Sequence, residues 1–334
     1  MKRELGRYLV TVSVAVVAIL ALLLSACQLV GGTQSQTPVK IRIGSSSGAG
    51  SLAIVVADVE GMYKKRNLET TIKMMPSSVD TVNAMLAGDV DSSLPSATIV
   101  NNTIGRGGDI VILGVATRFE ATEKVIGRPD IKGPADLKGK KIAAAKGSSS
   151  EYMMSLYLKK GGLTAKDVEW VYADPPEIVA LMDRGEVVAF SLWEPFPTRS
   201  LELSASKVKI LAAGMELGHD SGLHLLTMRK FDQENQEALT RYLAALHEAN
   251  QFIAKNHDRA AQILADKIKV DTAQASKLIK ETTYGLVADK QMTDYLRSVG
   301  EWFKATGRLD EVPDYQKHID TKPMKAVDPA AVKL

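Results

Sequence analysis

Three short polar loops carry most of the side chains able to recognise a ligand: Ser45-Ser46-Ser47-Gly48, Ser92-Ser93-Leu94-Pro95-Ser96 and Gly147-Ser148-Ser149-Ser150. Each precedes a stretch with helical spacing. A helix start offers unpaired N–H groups and the positive end of the dipole, so it holds an anion without a full positive charge. Serine hydroxyls add donors that rotate to suit. Capping explains any one such loop, because Ser is a preferred N-cap, and Ser149 is a candidate cap. Three loops at equivalent strand ends exceed what capping requires and point to a shared polar ligand site.

Other residues have two readings each. Trp193 follows an apolar run and either covers a sheet end or contacts a ligand. Glu194 is a surface acid, a cap beside Pro195, or a cleft carboxylate that favours a ligand bearing an amine. Asp174, before Pro175-Pro176, reads as a turn residue or a ligand contact. Arg118 and Arg199 are able to grip an acidic group bidentately, and Lys146 to add charge. His219 and His224 lack a third ligand, so no metal site is expected. Ser148 has no G-x-S-x-G context, which argues against a hydrolase. Gly105-Arg106-Gly107-Gly108 precedes a strand and is a turn, not a phosphate loop. No catalytic residue and no cofactor is expected.

These loops need a scaffold. Short β-like runs alternate with helical stretches from Val39: strands at 39–44, 69–74, 109–115, 141–145, 168–172, 187–192, 208–211 and 223–228, with helices at 52–65, 78–87, 149–160, 176–184 and 195–204. Gly88 is a plausible C-cap of the second helix. The alternation predicts parallel sheets with helices on both faces, whose ligands bind where strand ends enter helices. From Asp232 to Thr306 the pattern is helical throughout, and Leu239, Leu243, Leu246 and Ala249 read as core.

The 334 residues are 45% hydrophobic, 5% aromatic and 24% charged, ordinary for globular structure and sufficient for about two domains. Residues 1–26 differ: Lys2, Arg3 and Arg7 precede an apolar run from Leu9 to Leu24, an export signal. Leu24-Ser25-Ala26-Cys27 resembles the bacterial lipobox, in which the cysteine is acylated and anchors the chain to a membrane. Residues 27–38 would then be a flexible tether. Without the signal, 39 basic and 38 acidic residues remain, and the net charge falls from +3 to +1. That leaves no field for nucleic acid. Cys27 is the only cysteine, so no disulfide or thiolate site is available.

Ala53–Glu69 (AIVVADVEGMYKKRNLE) followed by Met85-Leu86-Ala87-Gly88-Asp89-Val90-Asp91 resembles the substrate-binding proteins of taurine, nitrate and aliphatic-sulfonate ABC transporters. So do Asp136–Ala143 with Lys146–Tyr152, and Leu181–Ala189 with Trp193-Glu194-Pro195. The resemblance spans nearly the whole chain after Cys27. It implies an α/β, two-lobed periplasmic binding protein fold (type II), with two parallel-rich mixed sheets flanked by helices and a ligand cleft between the lobes. Lobe 1 would be 39–117, lobe 2 118–222, and 223–334 the return to lobe 1 with a helical C-terminal portion. It places Ser46 and Ser47 on a first binding loop, Ser93 and Ser96 on a second, Gly147, Ser148 and Ser149 on an anion loop, and Trp193 and Glu194 at the cleft. The implied protein is a monomeric, extracytoplasmic lipoprotein that delivers a small organic anion, sulfonate- or taurine-like, to permease transmembrane subunits. An aromatic vitamin precursor, such as an aminopyrimidine or flavin, is the alternative ligand. Relatives that form thiamine precursors carry clustered cysteines, which this chain lacks.

Overall fold

The computed structural model describes residues 38–334, except Ser47, Glu120, Ala121 and Asp220. The expected signal, Cys27, the tether up to residue 37 and the role of Ser47 lie outside the described residues. Within them, no helix is long and apolar enough to cross a membrane.

Twelve strands form two mixed sheets among the described residues. The larger contains β1 (Val39–Ser46), β2 (Leu68–Met75), β3 (Ser92–Ser93), β4 (Ile110–Phe119), β10 (Gly222–Met228), β11 (Thr282–Asp289) and β12 (Val332–Lys333), in the order β12-β11-β4-β10-β3-β1-β2. The smaller contains β5 (Glu123–Gly127), β6 (Lys141–Ala144), β7 (Glu169–Tyr172), β8 (Ala189–Trp193) and β9 (Lys209–Ala213), in the order β7-β6-β8-β5-β9. Each sheet with its helices makes one lobe. The chain crosses between lobes twice, from Phe119 to Glu123 and from Ala213 to Gly222.

Strand position follows burial pattern. The continuous apolar run of β4 is buried on both faces, as a central strand must be. β2 alternates and sits at the sheet edge. In the smaller lobe Val125 and Ile126 point to opposite faces and join separate cores, Val125 with Ile142 and Met153, Ile126 with Phe190 and Leu192.

Three expectations need correction. The helical C-terminal stretch is interrupted by β11, which pairs antiparallel with β4. Its β-branched residues favour a strand, but no Pro or Gly turn separates it from the helices Thr272–Lys280 and Lys290–Ala305. β5 was also missing, because Glu123 and Lys124 disguise a fully buried strand as a loop. The helix at 52–65 breaks into Leu52–Val59 and Met62–Lys65 at Gly61, whose φ of +68° is left-handed.

Candidate functional site

A cleft of about 740 Å³, counting its open mouth, lies between the lobes. Strand ends and helix starts build it. The large lobe contributes Ser46 at the end of β1, the turn Ala49–Ser51 before the helix Leu52–Val59, Ser78 opening the helix Ser78–Leu86, and Ser96 before the helix Ala97–Gly105. The small lobe contributes Ser148 and Ser149 at the start of the helix Ser149–Lys160, with Glu123, Trp193 and Glu194. Phe119, Thr122 and Leu223, at the two crossings, close the back. Gly50 permits this close approach: a Cβ there would stand 2.5 Å from Leu223 and 2.6 Å from Phe119.

The hydroxyls on the two sides are in different states. In the large lobe, the hydroxyls of Ser46 and Ser78 contact each other at 3.2 Å, and that of Ser96 contacts Thr98 at 2.8 Å. Such hydroxyl pairs re-form easily around a ligand. Ser51 Oγ and Thr122 Oγ1 are buried in the cleft wall with no hydrogen-bond partner among the described residues. A buried, unpaired hydroxyl is costly unless something else binds it.

The small-lobe hydroxyls are already used. Ser149 Oγ donates to Glu123 Oε1 at 2.7 Å. Glu123 Oε2 contacts His219 Nε2 at 2.6 Å, and His219 Nδ1 contacts the Tyr295 hydroxyl at 2.9 Å. Because Nε2 faces a carboxylate, that nitrogen carries the hydrogen. Ser148, not Ser149, caps the helix: its Oγ accepts from the Ser150 N–H at 3.2 Å and donates to the Ala145 carbonyl. Ser149 is thus tied through Glu123 to His219.

The remaining expected site residues divide plainly. Ser46, Ser96, Ser148, Ser149, Trp193 and Glu194 line the cleft. Four do not. Ser93 is fully buried and pairs with Thr81 at 2.6 Å, holding the strand end in place. Arg118 turns to the other side of β4, where it meets Asp289 at 2.8 Å and Gln291. Asp174 is an exposed residue preceding the helix Pro175–Asp183, as a turn residue would be. Gly147, with φ of +74°, lies in a neighbouring groove and gives its N–H to Glu151 at 2.8 Å. The start of this helix therefore already holds its own anion. Burial alone would raise the Glu151 carboxyl, but hydrogen bonds from Arg308, the Gly147 N–H and Tyr172 outweigh it and hold it below its ordinary value.

Glu194 combines two of its three readings: it lines the cleft and caps the helix Phe196–Leu203, accepting from the Thr198 N–H at 3.2 Å. Its carboxylate is buried, contacts Lys124 Nζ at 2.6 Å and accepts from Thr198 Oγ1 at 2.9 Å. Its charge is met internally, which removes the reason to require an amine on the ligand. Arg199 lies 5.8 Å over the Phe196 ring and does not line the cleft. Tyr152 packs on Trp302, and Tyr172 stacks on Trp170, so neither tyrosine offers the cleft an aromatic face. No group of three metal-ligating side chains occurs among the described residues.

Sequence reasoning missed Glu123, Lys124, Tyr295, Ser51 and Thr122, and weighed His219 only as a metal ligand. The only local signal was the pair Glu123-Lys124 next to the apolar Val125-Ile126, a charged pair entering a strand.

Comparison with known proteins completes the description. The pattern of the family described as NMT1/THI5 like matches residues 49–260. The chain belongs to the NMT1/THI5-like family. A relative from Escherichia coli named as a putative aliphatic sulfonates-binding protein is 28% identical over 233 residues, 69% of this chain and 72% of the relative. The taurine-binding periplasmic protein of Escherichia coli is 24% identical over 289 residues, 80% of this chain and 88% of its own. The alkanesulfonate-binding protein from Xanthomonas axonopodis pv. citri, solved bound to MOPS, is similar with a TM-score of 0.76 and 20% identity, covering 86% of this chain and 99% of that one. Solved periplasmic binding proteins thus share the two-lobed α/β fold of this NMT1/THI5-like chain.

Proposed function

We propose that the protein is the extracytoplasmic solute-binding component of an ABC importer and captures a small organic anion such as an alkanesulfonate. The observation that carries this reading is the unpartnered pair Ser51 and Thr122 in an interlobe cleft, beside the re-orientable hydroxyls of Ser46, Ser78 and Ser96. Hydroxyls and helix starts suit a diffuse oxyanion, and Phe119, Trp193 and Leu223 suit an apolar body. Binding is by closure of the lobe built on β5–β9, residues 123–213, against the lobe of the larger sheet, the ligand shifting the open–closed equilibrium through contacts with both. The relatives named for sulfonates and taurine support this ligand class. Cys27 would carry the lipid that tethers a monomer beside the permease.

Calorimetry with hexanesulfonate, taurine, nitrate, an aminopyrimidine and riboflavin tests the ligand class. Saturable binding of hexanesulfonate, weakened when Thr122→Val and Ser51→Ala are combined, is expected. Binding of only the aromatic compounds would overturn the anion reading. Intact-mass measurement of protein from a bacterial membrane fraction tests the anchor: a lipid adduct beginning at Cys27 is expected, and an unmodified cysteine would remove it.

A further inference from the structure

A second groove adjoins the cleft. Val79 and Ile99 line both, and Gly147 of the groove directly precedes Ser148 of the cleft. The two spaces differ in charge. The cleft lining contains Glu123 and Glu194 and, among the described residues, no lysine or arginine. The groove lining contains Arg106, Lys146 and Arg308 and no carboxylate among the described residues.

Arg308 is already committed: it pairs with Glu151, which is almost wholly buried, and lies 4.9 Å over the Trp302 ring. Arg106 and Lys146 are exposed, and neither forms an ion pair among the described residues. Arg106 follows the helix Ala97–Gly105, where the negative end of the dipole favours a cation, so its position alone has a local explanation. Lys146 has no such explanation. It precedes the positive end of the helix Ser149–Lys160, the wrong end for a cation, and its only described partner is the Tyr172 ring at 5.4 Å. Asn83 and Asn102 add amide donors to the same groove.

We infer that the ligand is longer than the serine cleft and ends in a second anionic group, held in this groove by Lys146 and Arg106. This inference rests on the proposed binding of an organic anion in the cleft. The first acidic group sits among the cleft hydroxyls, an apolar spacer crosses Val79 and Ile99, and a carboxylate or similar anion meets the two cations. A single-headed anion such as nitrate or a plain alkanesulfonate uses half the site.

The test compares hexanesulfonate with sulfohexanoate, which has the same head and spacer plus a terminal carboxylate. Calorimetry at low ionic strength should give sulfohexanoate a Kd about tenfold lower, an advantage that salt erodes because the cations are exposed. Combining Lys146→Gln with Arg106→Gln should abolish most of that advantage and leave hexanesulfonate affinity unchanged, since neither residue lines the cleft. Equal affinities in the unaltered protein, or a preference that survives the double substitution, would overturn the inference while leaving the cleft reading intact. Binding of neither ligand would overturn the cleft reading and this inference with it.

Discussion

The two walls of the cleft look alike in sequence and differ in physics. Both are serine-rich helix starts. On the small-lobe wall the hydroxyls of Ser148 and Ser149 are tied to a cap and to Glu123, and the wall is backed by ionisable pairs, Glu123 with His219 and Lys124 with Glu194. On the large-lobe wall the hydroxyls of Ser46, Ser78 and Ser96 contact only other hydroxyls among the described residues. This wall is backed by bases that burial drives towards neutrality. His224, behind Ser96, is held at about 4, and Lys267, whose Nζ is 3.3 Å from Ser45 Oγ, at about 7. The difference teaches that a serine-rich loop is not yet a binding loop. The hydroxyls of one wall are committed to a helix cap and a carboxylate, and those of the other pair with neighbouring hydroxyls.

The sharpest way to break this comparison is to unpair the charges that back the small-lobe wall. Lys124→Met leaves Glu194 buried without its cation and should cost about 3–5 kcal/mol in urea unfolding. A loss under about 1 kcal/mol would mean that the small-lobe wall is not backed by a buried pair, because exposed pairs give losses of that size.

The next effect concerns the neutral wall. His224 is buried and neither ring nitrogen is hydrogen-bonded among the described residues. As pH falls, the unfolded chain takes up this proton first, at 6.5, and the folded protein only at about 4. Its contribution is therefore complete above pH 6.5 and is lost between 6.5 and 4, about 3 kcal/mol at the acid end. Asp232 acts in the opposite sense: burial, then the neighbouring Asp320, hold it at about 6 against 3.8, so the folded state binds its proton first and gains as pH falls from 6. Unfolding midpoints at pH 7 and 4.5 should drop less for His224→Leu than for the unaltered protein, and more for Asp232→Asn. Parallel profiles in all three would refute the assignment.

Smaller effects separate the serines. Ser149→Ala strips Glu123 of a buried donor and should cost about 1–2 kcal/mol of stability. Ser46→Ala with Ser96→Ala should leave stability within about 0.5 kcal/mol and weaken ligand binding about tenfold. The reverse pattern would exchange the roles of the two walls. Smallest is Ser77→Ala, which removes the capping box that presents Ser78 and should cost about 0.5–1 kcal/mol in thermal unfolding.

Much of the architecture was legible because its signals are local. The runs 69–74 and 109–115 read as strands from their neighbouring residues alone, and both are found there. The serine loops were legible as helix starts for the same reason, since capping joins residues two or three apart. β5 and β11 were not, because their pairing is with distant strands and their composition is charged or flanked by helices. The partners of Glu123 were not legible either: Ser149 and His219 lie 26 and 96 positions away. The sequence by itself therefore determined where donors are offered, a property of a few neighbouring residues. Only the tertiary structure decided which donors stay free, because a hydroxyl or carboxylate is satisfied by whatever the fold brings within about 3 Å of it.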